Sequence, residues 1–230
     1  MPKLKHLILN NSYDITKSDI KLVSLKELLN LEDLNLEFSD GFDIEGVFGN
    51  FPKLKSLKLS GAKIQSVEMK SCKNLSNLEI LCLKNCYLEE IDAKMFETFS
   101  KLQVLYLDKN PLKRSNAGLF KSLNRLKTLR LEQCSLDEID VDGFDGLTDM
   151  VILNLSHNKL KKMEVGTLDQ LKKLMSLVIS KVFSFNFEIY YLCLIYYLIS
   201  IFFKDCFFLY IYFIFFLPMF IFLNKRHYST

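Results

Sequence analysis

Between residues 4 and 181 apolar residues return in one phrase, Leu-x-x-Leu-x-Leu-x-x-(Asn/Cys)-x-Leu. It starts at Leu54, Leu78, Leu102, Leu126, Met150 and Leu174, each start 24 residues after the last. Leu31-Glu-Asp-Leu34-Asn-Leu36 precedes this series by 23 residues and Leu4-Lys-His-Leu7-Ile-Leu9 precedes that by 27, so eight units are visible, the first and last degraded. Alternation of period two inside the phrase predicts a short strand with one packed and one free face, Leu105 and Leu107 inward, Val104, Tyr106 and Asp108 outward. The second half of each unit is regular too, as in Leu88-x-x-Ile91-x4-Phe96-x-x-Phe99 and Leu136-x-x-Ile139-x4-Phe144-x-x-Leu147. One such unit cannot bury its leucines alone, so the pattern predicts a stack in which each unit depends on its neighbours.

This phrase, with its 24-residue period and its Phe in the second half, resembles the leucine-rich-repeat family in the form common among extracellular members such as Toll-like receptor ectodomains. The resemblance covers about residues 4–181. It implies an α/β repeat solenoid, a right-handed horseshoe with a concave parallel β-sheet and loops or short helical turns on the convex side. It also implies a structural ladder at the ninth place of the phrase, held by Cys86, Asn110, Cys134 and Asn158. There the side chain would bond to buried backbone of adjacent turns as the chain leaves the strand. Ser12, Ser39 and Ala62 depart from the pattern, so the three N-terminal units are expected to be looser.

Composition divides the chain near Lys181. Residues 181–230 hold 12 of the 20 Phe, 7 of the 10 Tyr and none of the 8 Gly. Two uncharged runs, residues 189–203 and 206–223, flank Lys204-Asp205, and the second has 18 residues. As a helix it would reach about 27 Å, near the ~30 Å of a bilayer's hydrocarbon. The expected organisation is a solenoid over 1–181, a hydrophobic helical tail over 182–224 with a candidate transmembrane segment at 206–223, and a short basic tail at 225–230. Lys225 and Arg226 would favour a cytoplasmic C-terminus, which places the repeats outside the cell or in a lumen. A second reading stays open. The tail is mostly Phe, Ile, Leu and Tyr and begins where the eighth repeat fails at Val182, as translated non-coding sequence in a partial gene would. The repeats would then form a cytosolic scaffold or adaptor. The first residues hold too short an apolar run for a secretory signal, and Leu4 opens a repeat without a polar cap, as a fragment would.

Residues 1–181 carry 27 basic and 25 acidic side chains, interspersed. With no basic run and no aromatic-basic patch, this balance argues against a nucleic-acid partner. There is no Gly-rich phosphate loop, Gly-x-Ser-x-Gly elbow, His-Glu-x-x-His helix or zinc-spaced pair of cysteines. His6, His157 and His227 read as solvated side chains, and Cys82 as a free thiol on the outward strand face. The expectation is a non-enzymatic protein without cofactor or metal. Asn10, Asn74 and Asn154 each open a glycosylation sequon.

What remains for function is the outward strand face. The expected partner is a protein ligand or co-receptor bound there by a receptor- or adhesion-like membrane protein, anchored through its C-terminal segment. The candidate residues are Lys58, Ile80, Lys84, Val104, Tyr106, Asp108, Arg130, Glu132 and Asn154. Tyr and Arg are the residue types that most often anchor interfaces, and Ile80, Val104 and Ile152 align beside them as an apolar stripe.

Overall fold

The computed structural model describes residues 3–10, 28–43, 51–64, 75–115, 117–161, 163–164, 166–180 and 210–211. Each repeat phrase forms one strand: β1 (His6–Asn10), β2 (Asp33–Asp43), β3 (Ser56–Lys63), β4 (Ile80–Cys82), β5 (Val104–Tyr106), β7 (Thr128–Arg130), β9 (Ile152–Asn154) and β10 (Ser176–Val178). They pair in chain order into a parallel sheet, joined at its end by β11 (Tyr210–Ile211) beside β10. On the other side of the repeats, β6 (Arg114–Ser115) pairs with β8 (Glu138–Ile139), and Ala93–Thr98 forms a 3-10 helix. The candidate span at 206–223 lies outside the described residues except for Tyr210–Ile211, which is extended where a helix was expected. Among the described residues no helix is long and apolar enough to cross a membrane.

The period of 24 becomes exact vertical register. Val104 pairs with Thr128, Thr128 with Ile152 and Ile152 with Ser176, so equivalent places stack in columns. Counting the first Leu of each phrase as place one, places four and six (Leu81 and Leu83, Leu105 and Leu107, Leu129 and Leu131, Leu153 and Leu155) are buried. Behind them, Phe96, Phe120 and Phe144 fill a second buried column, the first two with ring centroids 5.7 Å apart. Burying one such side chain is worth about 1.5–3 kcal/mol, and each column is closed only by the units above and below. A recurrent turn returns the chain to the next strand: Leu78 N–H donates to Leu75 O, Leu102 to Phe99 O, Leu126 to Leu123 O and Leu174 to Leu171 O.

The bend out of each strand is the demanding step. At place eight the backbone is left-handed in Gly61, Asn85, Lys109, Gln133 and His157, a conformation that costs a residue other than glycine roughly 1–2 kcal/mol. Its amide nonetheless meets the carbonyl of place seven in the next unit: Asn85 N–H donates to Asp108 O at 2.9 Å, Lys109 to Glu132 O at 2.8 Å and Gln133 to Ser156 O at 2.9 Å. One place later the buried side chain takes over. Asn110 Oδ1 accepts from the amides of Cys86 (2.8 Å) and Leu88 (3.1 Å), and its Nδ2 donates to Leu83 O and Leu107 O, both at 2.7 Å. Asn158 repeats this set on Cys134, Leu136, Leu131 and Leu155.

The cysteines do half as much. Cys86 Sγ donates to Leu59 O at 2.9 Å and Cys134 Sγ to Leu107 O at 3.1 Å. Burial pushes both thiols up to about 12, which keeps them protonated donors and unreactive. A thiol offers no oxygen to the preceding unit, so the amide of Leu112 turns to Asn110 O of its own unit at 2.8 Å. Where Ala62 holds the ninth place, with neither donor nor acceptor, the strand runs on: β3 continues to Lys63, with Phe42 pairing with Ala62 and Asp43 with Lys63. Ser39 lies within the equally prolonged β2.

Two measurements check this account. Asn110→Ala strands two amides and one unshared carbonyl and is expected to cost about 3 kcal/mol. Cys134→Ala leaves Leu107 O still bonded to Asn110 and should cost roughly 1 kcal/mol. Equal losses in urea unfolding would refute the difference in their roles. Gly146 has φ +84, and a Cβ there would meet Lys121 O at 2.5 Å, whereas a Cβ on Gly118, φ +66, meets nothing within 4 Å. Gly146→Ala should therefore lower the melting temperature clearly more than Gly118→Ala, although both adopt the same backbone region.

Candidate functional site

The free face of the sheet presents places three, five and seven of every unit. In the register of the sheet, Cys82 pairs with Tyr106, Tyr106 with Arg130 and Arg130 with Asn154, which brings residues 24 apart into contact. The Arg130 guanidinium lies over the Tyr106 ring, 5.4 Å from its centroid. Arg130 Nε is 3.1 Å from Asp108 Oδ2, and Arg130 Nη2 donates to Glu132 Oε2 at 3.0 Å. Asn154 Nδ2 donates to the same Glu132 oxygen at 3.1 Å, while Asn154 Oδ1 accepts from the Ser156 amide at 2.9 Å. Five of the nine candidate residues thus form one linked network. Lys58 on β3 and Lys84 just after β4 are exposed with no ion pair among the described residues, and Ile80 and Val104 lie half-buried in the neighbouring place-three column.

Asp108 corrects the expectation that outward places are free for a partner. It is 3% exposed, and its Oδ1 accepts from the backbone N–H of Glu132 at 3.0 Å. Ser56, Cys82 and Ser156 are buried as well, because neighbouring side chains close over short ones on the sheet. Asn154, one of the three sequon asparagines, has its amide engaged by Glu132 within a strand; Asn74 and the Asn10 side chain lie outside the described residues. Of the histidines, His6 Nδ1 pairs with Asp33 Oδ2, His157 occupies the left-handed eighth place, and His227 lies outside the described residues.

Stacked parallel strands, a buried Asn/Cys ladder and an exposed sheet face define a repeat solenoid. The family model described as leucine rich repeat matches residues 76–136 and 124–181, so this part of the chain consists of leucine-rich repeats. A crystal structure of a TLR13–ssRNA13 complex is similar, with a TM-score of 0.63 and 28% identity, covering 79% of this chain and 26% of that one. The Drosophila Toll–Spatzle complex gives a TM-score of 0.61 at 20% identity, covering 81% of this chain and 28% of that one. Internalin C2 of Listeria monocytogenes strain 4b F2365 gives 0.59 at 23% identity, covering 77% and 74%. The latter two likenesses show the fold alone. The chain spans only about a quarter of the first two proteins, and no curated protein matches it. Since the first of these structures contains single-stranded RNA, the argument against nucleic acid drawn from dispersed charge finds no support here.

The network has a pH signature. Burial pushes the Asp108 carboxyl above its ordinary range, against the Glu132 amide and Arg130, which pull it down. With its folded pKa above the unfolded one, the folded chain holds this proton more tightly, so its contribution to stability falls as pH rises through that window. Asp108→Asn keeps an oxygen for the Glu132 amide and loses the titration. Thermal melts from about pH 3.5 to about pH 7 should shift in favour of the variant as pH rises; a shift towards the wild type would mean that the Arg130 pair outweighs burial.

Proposed function

We propose that this chain is a non-enzymatic protein-binding module of a receptor- or adhesion-like protein, and that it recognises a protein ligand or co-receptor with the concave face of its sheet. The observation that carries this reading is the network of Tyr106, Arg130, Glu132 and Asn154. It sets an aromatic ring and a guanidinium, 39% exposed as a side chain, in fixed positions on the sheet face. A side chain already held by its neighbours loses less freedom on binding than a loose one. Lys58 and Lys84 flank the network as charges that steer approach, and Ile80 and Val104 supply apolar area beside it. Asp108 acts from beneath, by positioning Arg130.

The resemblance of the 24-residue phrase to repeats common among extracellular proteins, with the 28% identity to the protein of the TLR13 complex, favours repeats exposed outside the cell or in a lumen, with the segment 206–223 as the anchor. Glycan occupancy at Asn74 and access of a membrane-impermeant amine-reactive reagent to Lys225 in intact cells test that placement. Occupied Asn74 and protected Lys225 are expected; unoccupied Asn74 with every lysine of the repeats also protected would favour a cytosolic scaffold, and a labelled Lys225 would mean the opposite orientation.

Binding is tested with the full chain displayed against a panel of secreted and cell-surface proteins. A partner held on this face should be lost, by about 2 kcal/mol or more for each anchor removed, when Tyr106→Ala and Arg130→Ala are combined. It should be kept by Glu89→Ala with Glu90→Ala on the other side of the repeat. Unchanged affinity in the first double variant would move the site off the sheet.

A further inference from the structure

The nearly even count of acids and bases conceals a separation in space. The residue preceding each phrase and the residue at place two line the edge where the chain enters the strands, and contacts between units show that they form one row. Lys53 Nζ donates to Asn30 Oδ1 at 2.7 Å, Lys55 Nζ to Glu32 Oε2 at 2.9 Å, Lys101 Nζ to Asn77 Oδ1 at 2.7 Å and Lys173 Nζ to Asp149 Oδ1 at 2.6 Å. Arg125 and Lys127 are exposed in the same row.

The bases on this edge are poorly compensated. Lys53 and Lys101 rest on neutral amides, which leave their charge intact. Arg125 and Lys127 have no ion pair among the described residues, and Asp149, whose carboxyl feels both, is already bound to Lys173. Three acids share the edge, Glu32 held by Lys5 and Lys55, Glu79 near Lys55, and Asp149 held by Lys173; others, Glu89, Glu90 and Asp92 of one unit and Asp137, Glu138 and Asp140 of another, lie away from it, around the 3-10 helix and β8.

We infer that this strand-entry edge, centred on Lys101, Arg125 and Lys127, is a second binding surface, for a linear sulfated or carboxylated polysaccharide. Parallel strands lie about 4.8 Å apart, so Lys101 and Arg125 of two adjacent units, with Lys127 beside them, present cations at a short interval along the edge. A linear polyanion repeats its charges in the same way, whereas a folded acidic protein does not. Among the described residues of the row no ring is placed to stack a nucleic-acid base: Phe51 and Phe99, beside it in sequence, are buried in the core. The exposed apolar residues of this edge, Leu29 and Met175, stand near the ends of the row and not among the three central cations. This surface is separate from the sheet face and does not depend on it.

The test is calorimetric titration of the full chain with a heparin dodecasaccharide, beside a single-stranded oligonucleotide of equal charge, at about 50 and 200 mM salt. The saccharide should bind more tightly, with affinity that falls as salt rises. Lys101→Glu with Lys127→Glu should weaken binding by about tenfold or more and flatten the salt dependence. Lys94→Glu with Lys121→Glu, which changes net charge equally away from the row, should have a much smaller effect. Should the charge reversals disturb the circular dichroism, Lys101→Gln with Lys127→Gln gives the same comparison with a smaller loss. No saccharide binding, or equal loss in the two reversal variants, would overturn the site. An oligonucleotide that binds as tightly as the saccharide would overturn the assignment of its ligand.

Discussion

Everything in this fold rests on satisfying the backbone where it turns out of each strand into a dry interior. The turn needs a left-handed residue at place eight, and its polar groups face leucines instead of water. Amides at places nine and eleven would each cost about 1–3 kcal/mol if left without a partner. Asn110 and Asn158 meet that need because one carboxamide accepts twice and donates twice, reaching both its own unit and the one before it. Once the turn is fixed in this way, the next strand can begin only in register, and the columns of Leu and Phe close behind it. The sheet is therefore a consequence of the bend as much as of strand propensity, and β4, β5, β7, β9 and β10 need only three residues each. Where the bend lacks its ladder residue, at Ala62, backbone pairing of a longer strand takes its place.

The packed stack and the variable surface consequently take different places of the same phrase. Places four, six, nine and eleven are committed to the stack, whereas three, five and seven are open to variation as long as they do not disturb it. That freedom is incomplete at place seven. Asp108 and Ser156 turn back to accept from the amides of place seven in the following units, Glu132 at 3.0 Å and Ser180 at 3.3 Å. The outward face is thus read correctly from period two for long side chains such as Tyr106, Arg130 and Lys84, and wrongly for short ones that the neighbouring strands can cover.

The repeat, its phase and the ladder places were legible in the sequence because each is a local pattern copied at a fixed interval. The network around Arg130 was half legible. Strand alternation put Tyr106, Asp108, Arg130, Glu132 and Asn154 on one face, but no rule of spacing says that Arg130 will lie over Tyr106 and be gripped by two carboxylates. The cationic edge was not legible at all. Lys53, Lys101, Arg125 and Lys127 are scattered singly through mixed charge, and they become a row only when the solenoid folds the intervening residues away. A search for basic runs along the chain cannot see charge that is contiguous only across repeats.

The joints between units are also unequal, and this connects the candidate site to the stack. An asparagine unit grips the unit before it with an acceptor and a donor, as Asn110 grips Cys86 and Leu83. A cysteine unit grips its predecessor with one thiol hydrogen bond, from a weak donor, and a long backbone one, Ile64 N–H to Cys86 O at 3.3 Å and Lys113 N–H to Cys134 O at 3.4 Å. The joint between Leu102's unit and Leu126's unit is of this weaker kind, held at place nine only by Cys134. At that joint Asp108 bonds the Glu132 amide, pairs with Arg130 and so supplies from place seven the acceptor that place nine lacks. A buried carboxylate is a costly way to do this, and a neutral residue would serve the amide alone. What the carboxylate adds is a fixed guanidinium on the outer face. The group that reinforces the weaker joint is therefore the same one that orients Arg130 against Tyr106, so the geometry of the outer face is tied to the seam between two units.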